Sequence, residues 1–165
     1  MTPLAVVLAA AALAGCTPTT GGAVPDDGER AVVEWVYDGD TIRVDLAGES
    51  TRVRLLNVDA PEEPRDGQPG ECLAAEATAL LINLLPEGGE VVLVYDDVER
   101  DRYGRLLAGV YADGVLVNAE LARAGLARPV VFDGNVRFLD EVEDALAEAE
   151  AAGVGMFDPA ADCPF

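Results

Sequence analysis

Acidic and basic side chains with possible roles in chemistry lie close together in one part of this chain. Asp38, Asp40 and Asp59 are followed by Glu62, and Arg54 lies between the second and third aspartates. Converging carboxylates suit a hard divalent cation, and a guanidinium suits a phosphate because its N–H groups match two phosphate oxygens. The pattern therefore predicts a site where a cation and a phosphate group are bound side by side.

A predicted β-hairpin brings these residues together. Residues 40–46 and 51–58 alternate as two strands, and residues 47–50 between them are typical of a hairpin turn. Because Asp59 lies just beyond the second strand, we expect it to meet Asp40 at the same end of the hairpin.

The register of the hairpin follows from its centre. If the turn is centred in residues 47–50, paired residue numbers sum to about 97. Asp40 then faces the neighbourhood of Asn57, and Arg54 faces Arg43. Two like charges across a ladder repel unless an anion lies nearby, which also favours a phosphate ligand.

The composition excludes several kinds of catalysis. The chain has 165 residues, enough for one domain with a single core, and contains no histidine. It also has no lysine, so all 11 basic residues are arginines, and Ser50 is the only serine. Serine–histidine triads, cysteine–histidine pairs and histidine zinc sites are therefore excluded, and acid–base chemistry falls to Asp, Glu, Tyr or water.

The net charge of −20 has two interpretations. One is a solvated surface that keeps the protein soluble. The other is a halophilic protein from a very salty setting, where charge repulsion is screened because the Debye length is only about 3 Å at 1 M salt. In both cases the charge opposes long-range attraction of nucleic acid.

The N-terminal segment indicates export. Residues 1–15 are apolar and uncharged, and they end in small residues before Cys16, which resembles a lipoprotein signal peptide whose cleavage leaves a lipid-modified cysteine. No Arg or Lys lies near Met1, so a start further upstream and an uncleaved anchor are alternatives. Residues 16–30 predict a flexible tether, which leaves 31–165 as the folded domain.

The remaining pattern predicts a small barrel with helices. Three further strands and three helices are expected: strands 31–37, 91–95 and 105–111, and helices 73–84, 118–125 and 135–152. Five short strands with helices between and after them favour an α+β fold, a Greek-key barrel with helical caps.

Three sequence blocks carry a resemblance to a known family. Residues 38–41, 54–62 and 101–105 look like the signature blocks of the staphylococcal nuclease (thermonuclease) family, in the family's order and spacing, over about residues 31–157. The resemblance implies a five-stranded OB-fold barrel with three helices, whose open face commonly binds nucleic acid.

The resemblance implies a metal site that holds one Ca²⁺ ion. Asp40, Asp59 and the backbone carbonyl of Ala60 are the expected protein ligands, and oxygen ligands of this kind suit Ca²⁺. Asp38 is expected to bind a metal-bound water, although it is equally suited to forming the turn.

The resemblance also implies the catalytic side chains. Glu62 is expected to orient or deprotonate the attacking water, and Arg54 and Arg105 to clamp the phosphate. We predict that loss of either arginine costs at least about 10²–10³ in rate with the fold retained. Tyr103 matches a tyrosine that hydrogen-bonds a terminal phosphate. The family's base-stacking tyrosines are absent, and Phe132 is a candidate replacement.

The three cysteines have separate expected fates. Cys72 and Cys163 can pair in an exported protein, whereas Cys16 is assigned to lipid. The alternative is that Cys72 and Cys163 are two unrelated small residues.

Three functions remain compatible with the sequence. The first is a monomeric, surface-anchored, Ca²⁺-dependent nuclease, which the resemblance implies would cut single-stranded or frayed DNA and RNA and release 3′-phosphates. The second is a catalytically silent OB-fold module that binds oligonucleotides. The third is a Ca²⁺-stabilised structural lipoprotein.

Overall fold

The computed structural model describes residues 24–65 and 67–163. The predicted signal peptide, the lipidation site Cys16 and most of the predicted tether lie outside these residues. Within the described part of the chain, no helix has the length and apolar character needed to cross a membrane.

The described residues form strands, three α-helices and two short 3₁₀ helices. The strands are β1 (Glu29–Asp38), β2 (Thr41–Leu46), β3 (Glu49–Leu55), β4 (Val58–Asp59), β5 (Glu90–Val94), β6 (Leu106–Ala112), β7 (Val115–Leu116) and β8 (Arg128–Pro129). The α-helices are α1 (Ala74–Leu84), α2 (Val117–Arg123) and α3 (Leu139–Ala152), and the 3₁₀ helices are Gly155–Phe157 and Pro159–Ala161.

Five strands close into the predicted barrel. The order is β3-β2-β1-β5-β6, with antiparallel neighbours, and a parallel pairing of β3 with β6 closes the sheet. Strand β7 pairs antiparallel with β6, while β4 and β8 form a separate two-stranded sheet. The expected α+β barrel with three helices is therefore confirmed.

Alternation along the strands fills the barrel with aliphatic side chains. Ile42, Val53, Leu55 and Leu93 are fully buried, and Leu81 of α1 packs into the same core. Each such side chain contributes about 1.5–3 kcal/mol through burial. The core therefore fixes which face of the hairpin points inward.

The predicted hairpin register is wrong, because Arg43 pairs with Arg52 and not with Arg54. The centre of the turn lies one residue earlier in the chain than predicted. The turn consists of only Ala47 and Gly48, with φ of 54° and 87°, and it pairs Thr41 with Arg54 and Arg43 with Arg52. A two-residue turn with positive φ at both positions matches the twist of the flanking strands, so it replaces the expected four-residue turn.

Some element boundaries also differ from the predictions. Strand β1 begins at Glu29, inside the predicted tether, because residues 29–32 pair with β5. Helix α3 begins at Leu139 rather than at Asn135, whose buried side chain bonds to a neighbouring loop instead. The predicted stop at Gly153 agrees with its left-handed conformation, φ 65°.

Candidate active site

A polar cleft of about 550 Å³ lies at the end of the hairpin. Six of the predicted site residues line it: Asp38, Asp40, Arg54, Asp59, Glu62 and Arg105. Ala60 lines a neighbouring cavity of about 480 Å³ instead. The structure thus brings most of the predicted charged groups to one place.

The turn between β1 and β2 places Asp40 at the cleft. The backbone N–H of Asp40 donates to Asp38 Oδ1 over 3.3 Å. Gly39 lies between them, and a Cβ there would approach the Cβ atoms of Ala60 and Ala77 to 2.7 and 2.8 Å. Glycine is therefore needed for the turn to pack against these two alanines.

A buried asparagine places Asp59 on the opposite side. Asn57 has φ 58° and is fully buried. Its side chain donates to the carbonyl of Asn135 over 2.9 Å and accepts from the N–H of Phe138 over 3.2 Å. These bonds fix the turn between β3 and β4, so that Asp59 is presented just beyond it.

Arg54 joins the two aspartates. Its Nη2 lies 3.0 Å from Asp40 Oδ2 and 2.9 Å from Asp59 Oδ1. Its Nη1 donates to the carbonyls of Leu55 and Val58 over 2.6 and 2.7 Å. The residue is only 5% exposed, and three of its five N–H donors make hydrogen bonds inside the protein. The Nε–H group has no acceptor among the described residues and is available to a ligand.

The surroundings of Asp40 disfavour its charged form. Burial raises the pKa of Asp40 to about 6, although Arg54 beside it acts in the opposite direction. The N–H of Ala60 and the hydroxyl of Thr41 each donate to the carboxylate over 3.0 Å and also lower its pKa. A cation in the cleft would further favour the ionised carboxylate.

Arg105 is positioned by Asp101. Its Nε donates to Asp101 Oδ2 over 2.7 Å, while Asp101 Oδ1 accepts from the backbone N–H groups of Tyr103 and Arg105. Both Nη groups of Arg105 lack a protein acceptor among residues 24–65 and 67–163, so they are free to bind an anion. Tyr103 is 69% exposed and does not line the cleft; its ring centre lies 5.7 Å from the Arg105 guanidinium carbon.

Glu62 lies on the exposed loop after β4. Its backbone N–H donates to Glu71 Oε2 over 3.0 Å, and its carbonyl accepts from the Glu71 N–H over 2.9 Å. Arg65 lies 3.5 Å from the Glu62 carboxylate and 2.7 Å from that of Asp38. The sequence interpretation missed Arg65, for which the only signal was its position three residues after Glu62.

Phe132 covers one face of the central arginine. Its ring centre lies 4.8 Å from the guanidinium carbon of Arg54, and the ring lines the cleft. An aromatic ring at this distance is in the range of a cation–π contact. The sequence did not show whether Phe132 reaches the site, and the structure places its ring at the cleft.

A disulfide bond lies beside the loop that carries Glu62. Cys72 and Cys163 are bonded, with Cα atoms 5.6 Å apart and a sequence separation of 91. The bond therefore links the C-terminal segment to Cys72, which directly follows Glu71, the residue that is hydrogen-bonded to the Glu62 backbone.

The oxygen atoms at the cleft fit a hard divalent cation. Asp40 Oδ2 and Asp59 Oδ1 both contact the same nitrogen of Arg54, at 3.0 and 2.9 Å, so these oxygens lie within about 6 Å of each other. No group of three or more His, Cys, Asp or Glu side chains in the described ranges could hold a metal. Two carboxylates would therefore need a backbone carbonyl and water to complete the shell, a donor set that suits Ca²⁺.

A closed five-stranded barrel with three helices places this protein in the OB-fold class. A family model for "Staphylococcal nuclease homologue" matches residues 52–158. The chain belongs to this family.

Curated relatives agree with this assignment. A thermonuclease of Staphylococcus intermedius is 37% identical over 123 residues, which cover 74% of this chain and 73% of the relative. A thermonuclease of Staphylococcus hyicus is 36% identical over 115 residues, covering 70% and 68%. The endonuclease YncB of Bacillus subtilis is 38% identical over 130 residues, covering 74% of this chain and 57% of that protein.

Proposed function

We propose that this protein is a Ca²⁺-dependent nuclease that hydrolyses phosphodiester bonds of DNA and RNA, prefers single-stranded or frayed substrates, and releases 3′-phosphates. Its class, a nuclease of the phosphodiester hydrolase type, follows from the family and from relatives named thermonuclease and endonuclease. The observation that carries the proposal is the single Arg54 guanidinium that contacts both Asp40 and Asp59 in a cleft also lined by Arg105.

The arginines supply the phosphate-binding part of the proposed chemistry. Arg105 offers its two Nη groups, and Arg54 offers its Nε–H, to the non-bridging oxygens of a phosphodiester. Both guanidiniums are held by carboxylates or carbonyls, so they need little reorganisation as negative charge develops on the phosphate.

Glu62 supplies the acid–base part. Its carboxylate is exposed at the cleft, where it can orient a water molecule and accept its proton as the water attacks phosphorus. The backbone bonds to Glu71 keep the base of the side chain in place.

Asp40, Asp59 and the carbonyl of Ala60 are the proposed ligands of one Ca²⁺ ion, with Asp38 nearby as a partner for bound water. When bound, such an ion neutralises charge on the phosphate and the leaving oxygen. The oxygen-only donor set is the support for Ca²⁺ over a softer metal.

The distribution of arginines reduces the conflict between the net charge and an anionic substrate. Four of the 11 basic residues line the cleft: Arg52, Arg54, Arg65 and Arg105. Contacts to few phosphates release few counterions, so the salt penalty on binding is small. We propose that cleavage persists at molar salt, as expected for a halophilic protein.

The proposal includes a location and an assembly state. The protein is exported and anchored by lipid at Cys16 to the outer face of the cell membrane, with the residues between Cys16 and β1 as a tether and the nuclease domain beginning at Glu29. It acts as a monomer. The apolar N-terminal segment with its small residues before Cys16 is the support for anchoring.

A catalytically silent oligonucleotide-binding module is the second candidate. The observation that favours it is that Arg54 already makes three hydrogen bonds and an ion pair with Asp40 within the protein, which leaves few of its N–H groups for substrate.

Cleavage of single-stranded DNA in Ca²⁺ buffer, in EDTA and across salt concentrations tests both. Cutting that requires Ca²⁺ and persists at molar salt supports the nuclease proposal. Retention of the oligonucleotide without cutting would instead support the silent module. An optimum at low ionic strength would contradict the halophilic part of the proposal.

A further inference from the structure

A row of three exposed side chains crosses the outer face of the barrel next to the cleft. Trp35 pairs with Arg43 across β1 and β2, and Arg43 pairs with Arg52 across β2 and β3. Trp35 is 58% exposed, and Arg43 is exposed between buried Ile42 and Val44. Since side chains alternate along a strand, the row lies on the solvent side of the sheet.

The two arginines of this row face each other without an acidic partner. Like charges directly opposite in a ladder destabilise a sheet. In the described part of this acidic chain, neither Arg43 nor Arg52 has a carboxylate oxygen within 4.0 Å. Their guanidinium carbons lie instead 5.3 and 4.5 Å from the ring centre of Tyr37. The arrangement is complementary to an anion.

The row continues directly into the cleft. Tyr37 and Arg52 line the cleft themselves. The pair of Thr41 and Arg54 lies two residues along the strands from the pair of Arg43 and Arg52, a distance of about 7 Å. If one phosphate of a polynucleotide lies at Arg54, a phosphate one or two nucleotides away can therefore reach Arg52.

Acidic residues mark the far end of the row. The next cross-strand row contains Asp45 and Ser50, and the hydroxyl of Ser50 donates to the carboxylate of Glu34. These carboxylates repel a phosphate backbone, so the favourable surface is short. It suits a few nucleotides rather than a long duplex.

We propose that Trp35, Arg43 and Arg52 form a binding track for single-stranded nucleic acid, which holds the nucleotides that adjoin the cleaved bond. Trp35 is 58% exposed and has no ring partner among the described residues, so its indole can stack on a base. The arginines bind the phosphates on either side of that base. The track rests on the proposed nuclease function because it binds the same strand that enters the cleft.

Trp35 is the only tryptophan in the chain, so its fluorescence reports directly on the track. The full chain carrying Glu62→Gln, in Ca²⁺ buffer, is titrated with oligothymidylates of two to twelve nucleotides. We expect quenching that increases with length over the first few nucleotides and then levels off. Absence of quenching at every length, with binding measured separately by a labelled oligonucleotide, would overturn the proposal.

Kinetics on the otherwise unchanged protein supply the second test. Trp35→Ala is expected to raise KM for a twelve-nucleotide substrate about tenfold, because one base–aromatic stack is lost, and to leave kcat unchanged. Trp35→Phe, which retains a stacking ring, is expected to recover most of the affinity. An unchanged KM in Trp35→Ala would contradict the track while leaving the nuclease proposal intact.

The arginines are tested by the salt dependence of binding. Arg43→Gln and Arg52→Gln are each expected to reduce the slope of log K against log salt by about 0.7, the value for one phosphate contact on a single strand. Arg30→Gln is the matched control, because Arg30 is exposed on β1 five residues before Trp35 and outside the row. Equal slopes for all three variants would overturn the role of the arginines. Quenching without any cleavage by the wild-type protein would refute the nuclease proposal and leave the track standing.

Discussion

The candidate site has two halves that carry similar charges in different surroundings. Asp40 and Arg54 belong to the barrel and are 7% and 5% exposed. Glu62 and Arg65 belong to the loop after β4, and both of their side chains are 61% exposed. Each half contains a carboxylate beside a guanidinium, but only the barrel pair is shielded from water.

Because of this difference in burial, substitutions in the two halves should differ in their effects on stability and on cleavage. Removing one partner of a buried ion pair leaves an uncompensated charge and costs about 3–5 kcal/mol, whereas an exposed pair contributes about 0–1 kcal/mol. We therefore expect changes in the barrel half to reduce both stability and cleavage. Changes in the loop half should reduce cleavage alone.

Arg54→Ala should have the largest combined effect. The change leaves Asp40 buried without its cation and removes one phosphate ligand. We expect the free energy of unfolding to fall by about 3–5 kcal/mol and the cleavage rate to fall by at least about 10²–10³. Urea denaturation and single-turnover cleavage of single-stranded DNA measure the two losses.

The control is a variant in which both charges are removed. Asp40→Asn combined with Arg54→Met leaves no buried unpaired charge, since Asp59 is 60% exposed, so it should recover most of the stability and none of the activity. Loss of cleavage by Arg54→Ala without any loss of stability would contradict the proposed coupling in the barrel half.

Glu62→Gln should affect cleavage without affecting stability. Removing a positioned general base typically costs about 10²–10⁴ in rate, while an exposed substitution changes the free energy of unfolding by no more than about 0.5 kcal/mol. Glu63→Gln is the matched control, since the neighbouring carboxylate accepts from the hydroxyl of Thr78 and does not line the cleft. Equal losses in both variants would show that Glu62 has no special role.

The sequence predicted that Asp40 and Asp59 meet at one end of the hairpin, despite the error in register, but not that Arg54 contacts both of them. A hairpin brings its two open ends together whichever residues form the turn. Moving the turn centre by one residue therefore changes which residues pair, but Asp40 and Asp59 still meet at the open end. The barrel with three helices was predictable for a similar reason, since its strands and helices follow local periodicity.

The support for Asp59 was not predictable. Asn57 bonds to the carbonyl of Asn135 and the N–H of Phe138, which are 78 and 81 residues away in sequence. Local patterns carry no information about such distant partners, and asparagine is a common turn residue whether or not it is buried in this way. Arg65 was missed because a single arginine in a polar loop has no periodic signal.

The raised pKa of Asp40 predicts a pH dependence in the barrel half. Burial raises the pKa of Asp40 to about 6 from its ordinary value of 3.8, so in metal-free protein the folded state binds the extra proton between these values. The contribution of Asp40 to stability should therefore be largest below about pH 4 and should be lost as the pH rises through about 6. Thermal unfolding of the metal-free protein between pH 4 and 7, with Asp40→Asn as the reference, measures this change.

Cation binding should show the opposite dependence on pH. A divalent cation binds the ionised carboxylate, so Ca²⁺ affinity should fall about tenfold per pH unit below pH 6. Calorimetric titration at pH 5, 6 and 7 provides the measurement. A constant affinity over this range would mean that Asp40 does not bind the ion.

Arg65→Gln should have the smallest effect. Its side chain is 61% exposed, and the buried Asp38 carboxylate still accepts from the backbone N–H of Asp40 when Arg65 is lost. We therefore expect a loss of no more than about 1 kcal/mol in stability and less than a tenfold change in cleavage rate. Arg30→Gln again serves as the control. A loss as large as that of Glu62→Gln would show that the loop half depends on this ion pair after all.

The most direct test of the site is a crystal structure of the full chain grown with Ca²⁺. We expect one calcium ion at about 2.3–2.6 Å from carboxylate oxygens of both Asp40 and Asp59 and from the carbonyl of Ala60, identified by its anomalous scattering. An ion bound elsewhere, or Arg54 still bridging the two aspartates at saturating Ca²⁺ with no ion beside them, would contradict it.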